Sequence, residues 1–174
     1  MAHPTLAVTV SGLWFCRDRT GREVEDWLRT YDRLAPNEPV IVVPRGAPLL
    51  DRRSAVSNMR VLLGLSGQAC AESDAITALR TIEIPDRLHW VRANRLTRAQ
   101  RLAVWLGICR LRGSKTVVLI DPFVGVAGGC VGSLARLIRE MATPGRTVLL
   151  VSDDPTVGEL CSASPVRELK STPW

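Results

Sequence analysis

Lys115-Thr-Val-Val-Leu-Ile-Asp121-Pro-Phe-Val-Gly125 is the stretch that decides the reading of this chain. Thr116 to Ile120 all favour a strand, and no charged residue interrupts them. An apolar run without alternation suits a strand covered on both faces, as in the parallel sheet of an α/β protein. Pro122 then stops it, which leaves Asp121 at the carboxyl end of the strand, where open α/β sheets place their ligands.

The flanking segments agree with that placement. On the amino-terminal side, Thr97 caps a helix whose one face carries Ala99, Leu102, Ala103, Leu106 and Cys109, with Arg98, Arg101, Arg110 and Arg112 largely off it. Gly113-Ser114 ends that helix. On the other side, Gly125 to Gly129 reads as a flexible loop, followed by the helical stripe Val131, Leu134, Leu137, Ile138 and Met141. Pro144-Gly145 stops it, and Arg146 to Ser152 is a further buried strand. Asp153-Asp-Pro155 starts a short helix, which the helix dipole favours, and Val166 to Leu169 is expected as an edge strand.

Nearer the amino terminus, Leu6 to Val10 and Gly12 to Phe15 read as a first strand bent at Ser11-Gly12. Glu23 to Leu34 has helical spacing, Ala35-Pro-Asn-Glu-Pro39 breaks it, and Val40 to Val43 is a second buried strand. Ser54 is the expected N-cap of a helix over Ala55 to Leu63, with Gly64 as its stop. Residues 65–95 change character. Glu72 to Ile82 suits one helix and the remainder looks irregular, so a small inserted helical lobe is expected there. Strand and helix in alternation predict one α/β domain over residues 1–174, with a mainly parallel sheet and right-handed crossovers.

Composition narrows the function classes. The 174 residues are 46% hydrophobic and 23% charged, which suits a globular domain with a real core. No apolar run approaches the ~18 residues of a membrane span, and Met1-Ala-His-Pro lacks a signal-peptide pattern, so a cytoplasmic location is expected. The five cysteines are scattered without a Cys-x-x-Cys pair, against both a disulfide framework and a zinc site. His3 and His89 are the sole histidines, and no metal site is expected. Of the 23 basic residues only Lys115 and Lys170 are lysine, so the net charge of +6 is an arginine charge. These arginines are dispersed and not interleaved with aromatic platforms, so no nucleic acid partner is expected. Trp14, Trp27, Trp90 and Trp105 suit core or interface anchors, and Trp90, beside Arg92 and Arg95, reads as the surface anchor.

Over roughly residues 40–160 the order of pieces resembles the nucleotide-binding subunit of an ABC transporter. Val43-Pro-Arg45-Gly-Ala-Pro-Leu-Leu50, followed by Ala55-Val-Ser-Asn58, is similar to the Q-loop region, with Arg45 at the glutamine position. Leu96-Thr-Arg-Ala-Gln100-Arg resembles the signature Leu-Ser-Gly-Gly-Gln-Arg. Leu119-Ile-Asp121-Pro-Phe resembles the Walker B strand, and Val148-Leu-Leu-Val-Ser152-Asp153-Asp154 the switch strand. Arg45-Gly-Ala-Pro-Leu-Leu and Pro122-Phe-Val-Gly125 are also similar to segments of Mla/Mce-type lipid-transport ATPases. The resemblance implies a P-loop NTPase-like fold. It further implies that Thr97, Arg98, Ala99 and Gln100 face ATP held by a partner subunit, and that Arg45, Leu49, Leu50 and Trp90 dock a partner.

The departures from that pattern shape the expected function. Gly-x-x-x-x-Gly-Lys-Ser/Thr occurs nowhere in these residues, which removes the phosphate cradle and its lysine. Pro122 stands where the family has a catalytic glutamate, and proline has no side-chain acceptor to orient water. Asp153 replaces the switch histidine, and Gly128 lies roughly at the D-loop aspartate. The expectation is a pseudo-ATPase, not an enzyme, with no catalytic residue and no cofactor of its own. Any ATP-Mg²⁺ belongs to an intact ABC ATPase partner, and membrane association runs only through a partner such as a permease, at the inner face of the cytoplasmic membrane. The alternative is a stand-alone regulatory or ligand-binding protein that kept the fold. Two local readings stay open. Asp121 either binds Mg²⁺ or caps its strand and pairs with an arginine; Thr97 to Gln100 either meets a phosphate or simply caps an amphipathic helix.

Overall fold

The computed structural model describes residues 12–18, 25–26, 28–29 and 40–165. Its centre is the strand β3 (Thr116–Ile120), flanked by β2 (Val40–Val43) and β4 (Thr147–Ser152); β1 (Gly12–Arg17) and β5 (Ser164–Pro165) complete the sheet. The order is β2-β3-β4-β1-β5 and all neighbours run parallel. Thr116 lies opposite Val40 on one side and Thr147 on the other.

Side-chain alternation explains the unbroken apolar run. Val117 and Leu119 of β3, with Ile41, Val43, Val148 and Leu150, join one buried cluster. Val118 lies in a second cluster with Cys16, Leu149 and Val151, against which Ile120 and Leu28 pack. Both faces are thus shielded, as a parallel sheet requires.

Helices cover the first face. Helix α1 (Ala55–Leu65) starts at the Ser54 cap, whose Oγ accepts from the Ser57 N–H at 3.2 Å. It runs past Gly64, where a stop was expected. Gly67, at φ 79°, stops it three residues later: its N–H donates to the Gly64 carbonyl at 2.9 Å and the Gln68 N–H to the Leu63 carbonyl at 3.0 Å, while the Ser66 hydroxyl adds a bond to Leu63 at 2.7 Å. Then come α2 (Glu72–Thr81), the short α3 (Asp86–His89), a 3-10 turn (Ala93–Arg95) and α4 (Arg98–Arg112). Gly113 closes α4 in the left-handed region at φ 65°. Helix α5 (Gly128–Met141) begins inside the glycine-rich stretch expected as loop, three residues ahead of its apolar stripe. The short α6 (Thr156–Leu160) follows β4.

Residues 65–95, expected as an inserted lobe, send Ala75, Leu79, Ile82 and Ile84 into the same buried cluster as Leu102 and Leu106 of α4. Glu83, just past α2, takes both its oxygens to Arg136 of α5 at 2.8 Å. The expected strand at residues 6–10, most of the helix over 23–34 (Trp27 included) and the edge strand at 166–169 lie outside the described residues. Residues 25–26 and 28–29 are helical, and Ser164–Pro165 pairs with β1 at the sheet edge.

Candidate functional site

Parallel pairing brings the carboxyl ends of β1, β2, β3 and β4 to one edge. The ladder continues past the strands there: the Asp121 N–H donates to the Val151 carbonyl at 2.8 Å, and the Asp18 N–H to the Ser152 carbonyl at 3.3 Å. Asp121 has φ 44°, a left-handed conformation that a short polar residue tolerates better than most. The chain turns at once, with the Val124 N–H on the Asp121 carbonyl at 3.1 Å.

Both oxygens of the Asp121 carboxylate are engaged within the chain. Ser152 donates its hydroxyl to Oδ1 at 2.7 Å. The Arg45 Nε lies 3.7 Å from Oδ2, the arginine side chain being 67% exposed and the aspartate 17%. Ser152 Oγ also accepts the Asp154 N–H at 3.3 Å, which ties the turn after β4 to the same acid. Asp154 in turn caps α6, accepting the Thr156 hydroxyl at 2.7 Å and N–H at 2.9 Å. Those bonds hold its carboxyl below the usual carboxylate range. Asp153 is exposed and Pro122 is buried beside Asp121.

A second arginine closes the neighbouring loops. Arg98, the first residue of α4, donates from Nη1 to the Gly46 carbonyl at 3.0 Å. Gly46 has φ +76°, and a Cβ there would run into that guanidinium; Gly125, at φ +70°, lies along the Arg98 stem. Only glycine fits both demands at position 46. Trp105 fastens the same loop to α4 by donating to the Pro48 carbonyl at 2.8 Å. Thr97 and Gln100 form a capping box: Thr97 Oγ1 accepts from the Gln100 N–H at 3.2 Å, and Gln100 Oε1 from the Thr97 N–H at 2.9 Å. The hydroxyl is therefore in use within its own helix, and Ala99 is half-buried behind it.

The expected docking residues divide. Arg45 turns to Asp121 and Leu49 packs half-buried on the core. Leu50 and Trp90 are 43% and 57% exposed. Sequence reading passed over what positions Leu50. Asn58 of α1 is fully buried; it accepts the Leu50 N–H at 2.7 Å and donates to the carbonyls of Leu50, Arg53 and Ser54 at 3.2, 3.2 and 3.0 Å. Its signal was a lone amide among Ala55, Val56 and Met59 on an apolar face. Ser152 and Gly46 were passed over likewise, as ordinary strand and loop residues.

No cluster of three His, Cys, Asp or Glu able to hold a metal occurs among the described residues. Burial pushes the Cys109 thiol up to about 12 and that of Cys161 to about 11, which favours the protonated thiol at both.

No family model and no curated protein matches the chain. Solved structures do. The ATP-binding cassette MJ0796, in a dimeric post-hydrolysis state with ADP and Pi, superposes with a TM-score of 0.61 at 17% identity, over 78% of this chain and 60% of that one. A protein from Pyrococcus furiosus described as an ABC transporter ATP-binding protein gives 0.66 at 15% identity, over 84% and 80%. An ABC transporter of metal-chelate type, in an inward-facing conformation, gives 0.69 at 14% identity, over 86% and 66%. The fold is accordingly that of the ABC-type ATPases, a parallel sheet flanked by helices. The chain spans 60% of the length of the MJ0796 cassette. Among the described residues no helix is long and apolar enough to cross a membrane.

Proposed function

We propose that this chain is a non-hydrolytic, accessory or regulatory subunit of an ABC-type transport complex. The observation that carries the reading is the closure of Asp121 by Arg45 and Ser152. A carboxylate at this strand end is where an ATPase of this fold would hold Mg²⁺. Here a guanidinium supplies the countercharge from within the chain, and a hydroxyl takes the other oxygen. Mg²⁺ demands near-octahedral oxygen coordination, and one carboxylate already engaged twice does not meet that demand. The donor set does not fit the metal. Pro122 has no side-chain acceptor for an attacking water, and exposed Asp153 would repel a γ-phosphate.

What the fold retains is a scaffold for partners. Leu50 and Trp90 offer apolar contacts, while Leu49 packs on the core and Arg45 turns to Asp121. The partner is an intact ABC ATPase, which holds ATP-Mg²⁺ itself, or a membrane permease; the short strings around Arg45 and Pro122 favour a lipid-moving complex. Control of such a partner requires different affinities for its conformations. The test is purification of the tagged full chain from its own membranes. Recovery of a permease or an ATP-hydrolysing cassette in fixed stoichiometry is expected, and a lone monomer overturns the reading. The self-satisfied capping box at Thr97 and Gln100, with Arg98 committed to Gly46, favours a second reading, a stand-alone regulatory protein. Arg98→Glu in a reconstituted heterodimer separates the two. A change in the partner's ATP turnover supports the subunit, and no change supports the second reading.

A further inference from the structure

Residues 51–54 and 92–95 form two turns laid side by side. Ser54 and Arg92 make an antiparallel bridge. The Ala93 N–H donates to the Arg53 carbonyl at 2.8 Å and the Asn94 N–H to the Asp51 carbonyl at 3.2 Å. Asn58 secures the first turn from beneath. On this joined surface Arg52, Arg53, Arg92 and Arg95 are exposed, with Arg87 on the adjacent α3.

Among the described residues none of these five guanidiniums has a hydrogen-bond or ion-pair partner. The acids close by are already spent. Asp51 lies 3.6 Å from Arg101, Asp86 is 2.7 Å from Arg80, and Glu72 is 3.6 Å from Arg60. The positive field is therefore uncompensated. Arg53 and Arg60, with Ser57 and Gln68, also line an open cavity of about 360 Å³ that extends the basic surface. Two apolar side chains stand out beside the arginines: the Trp90 indole, 57% exposed, and Leu50, 43% exposed, in the residue before the first turn.

We propose that this surface binds the anionic head groups of a lipid bilayer directly. Arginine forks match phosphate oxygens, an indole settles at the head-group level, and an aliphatic side chain beside it enters the acyl boundary. Nucleic acid would use a series of aromatic platforms, whereas this surface offers a single indole, and bases do not stack on the leucine beside it. The chain would then touch the membrane itself and not only through a partner. It concerns the free chain, in which no partner covers Leu50 and Trp90, so flotation of the chain alone fails separately from the subunit reading.

Flotation of the full chain with vesicles tests it, using phosphatidylcholine alone and phosphatidylcholine with about 30 mol% phosphatidylglycerol. Binding is expected on the anionic vesicles only, and is lost in about 0.5 M salt, where screening shortens to a few ångströms. Each cation near such a surface is worth roughly fivefold in partitioning, so the double variant Arg52→Glu/Arg53→Glu loses about 25-fold or more. Trp90→Ala weakens the binding seen at low salt. All variants are compared at matched melting temperature. The proposal is overturned by absence of flotation, by equal binding to neutral vesicles, or by an unaltered double variant. It is equally overturned if a single-stranded oligothymidylate strips the wild-type chain from vesicles and binds more tightly than they do.

Discussion

Two arginine-bearing surfaces of this molecule use the same side chain in opposite ways. At the carboxyl edge of the sheet the cations turn inward: Arg45 faces Asp121, and Arg98 threads between Gly46 and Gly125. On the paired turns 51–54 and 92–95 the guanidiniums face solvent without partners among the described residues. In the first place the charge is spent on joining the loop after β2, the turn after β3 and the start of α4. In the second it stays available to another molecule. A chain whose basic excess is almost wholly arginine thus separates a rigid, closed centre from an open, recognising flank.

Asn58 supplies the strongest way to break that contrast. Asn58→Leu strands the Leu50 N–H, at about 1–3 kcal/mol for a buried group left unpaired, and takes a side-chain bond from three carbonyls that keep their backbone donors. A loss of about 2–3 kcal/mol in urea unfolding is expected, together with loosened amide exchange over residues 50–54. The Asp121 cluster does not share those bonds, so the closed centre should hold its protection.

Gly46→Ala comes next. It forces a side chain into the left-handed region, worth about 1–2 kcal/mol, and pushes against the Arg98 guanidinium as well. In an Arg98→Ala background the steric part disappears, so a double-mutant cycle should show coupling of about 1 kcal/mol between the two sites. Independent costs would mean that Arg98 does not clamp the loop.

The smallest effects sharpen the same division. Arg45→Ala removes a largely exposed ion pair and should cost less than about 1 kcal/mol, with a dependence on salt. Arg52→Ala/Arg53→Ala removes charges that hold nothing, so stability should stay within about 0.5 kcal/mol of wild type. A clear loss in the double variant would show that the flank is structural after all.

Much of the fold was legible because its signals are local and cumulative. Thr116 to Ile120, Val40 to Val43 and Arg146 to Ser152 are apolar runs whose burial on both faces leaves one interpretation. Thr97 and Gly113 bracket α4 by capping chemistry that acts within a few residues. Gly64 misled because a glycine marks a stop only where the chain turns left-handed, and here that turn falls at Gly67.

The site was legible in part. That Asp121 ends its strand follows from Pro122, but the partners of its carboxylate come from residues 76 positions earlier and 31 later, Arg45 and Ser152. Such pairings depend on strand order, which alternation of strand and helix does not specify. The flank was still less visible. Arg52, Arg53, Arg92 and Arg95 look dispersed along the chain, and only the Ser54 to Arg92 bridge gathers them.

The most direct test of the central claim is phosphate release from Mg²⁺-ATP by the purified full chain, measured beside Asp121→Ala. With Arg45 and Ser152 closing the acid and Pro122 following it, both proteins should match the buffer blank. Turnover by the wild-type chain that disappears in Asp121→Ala would contradict the account.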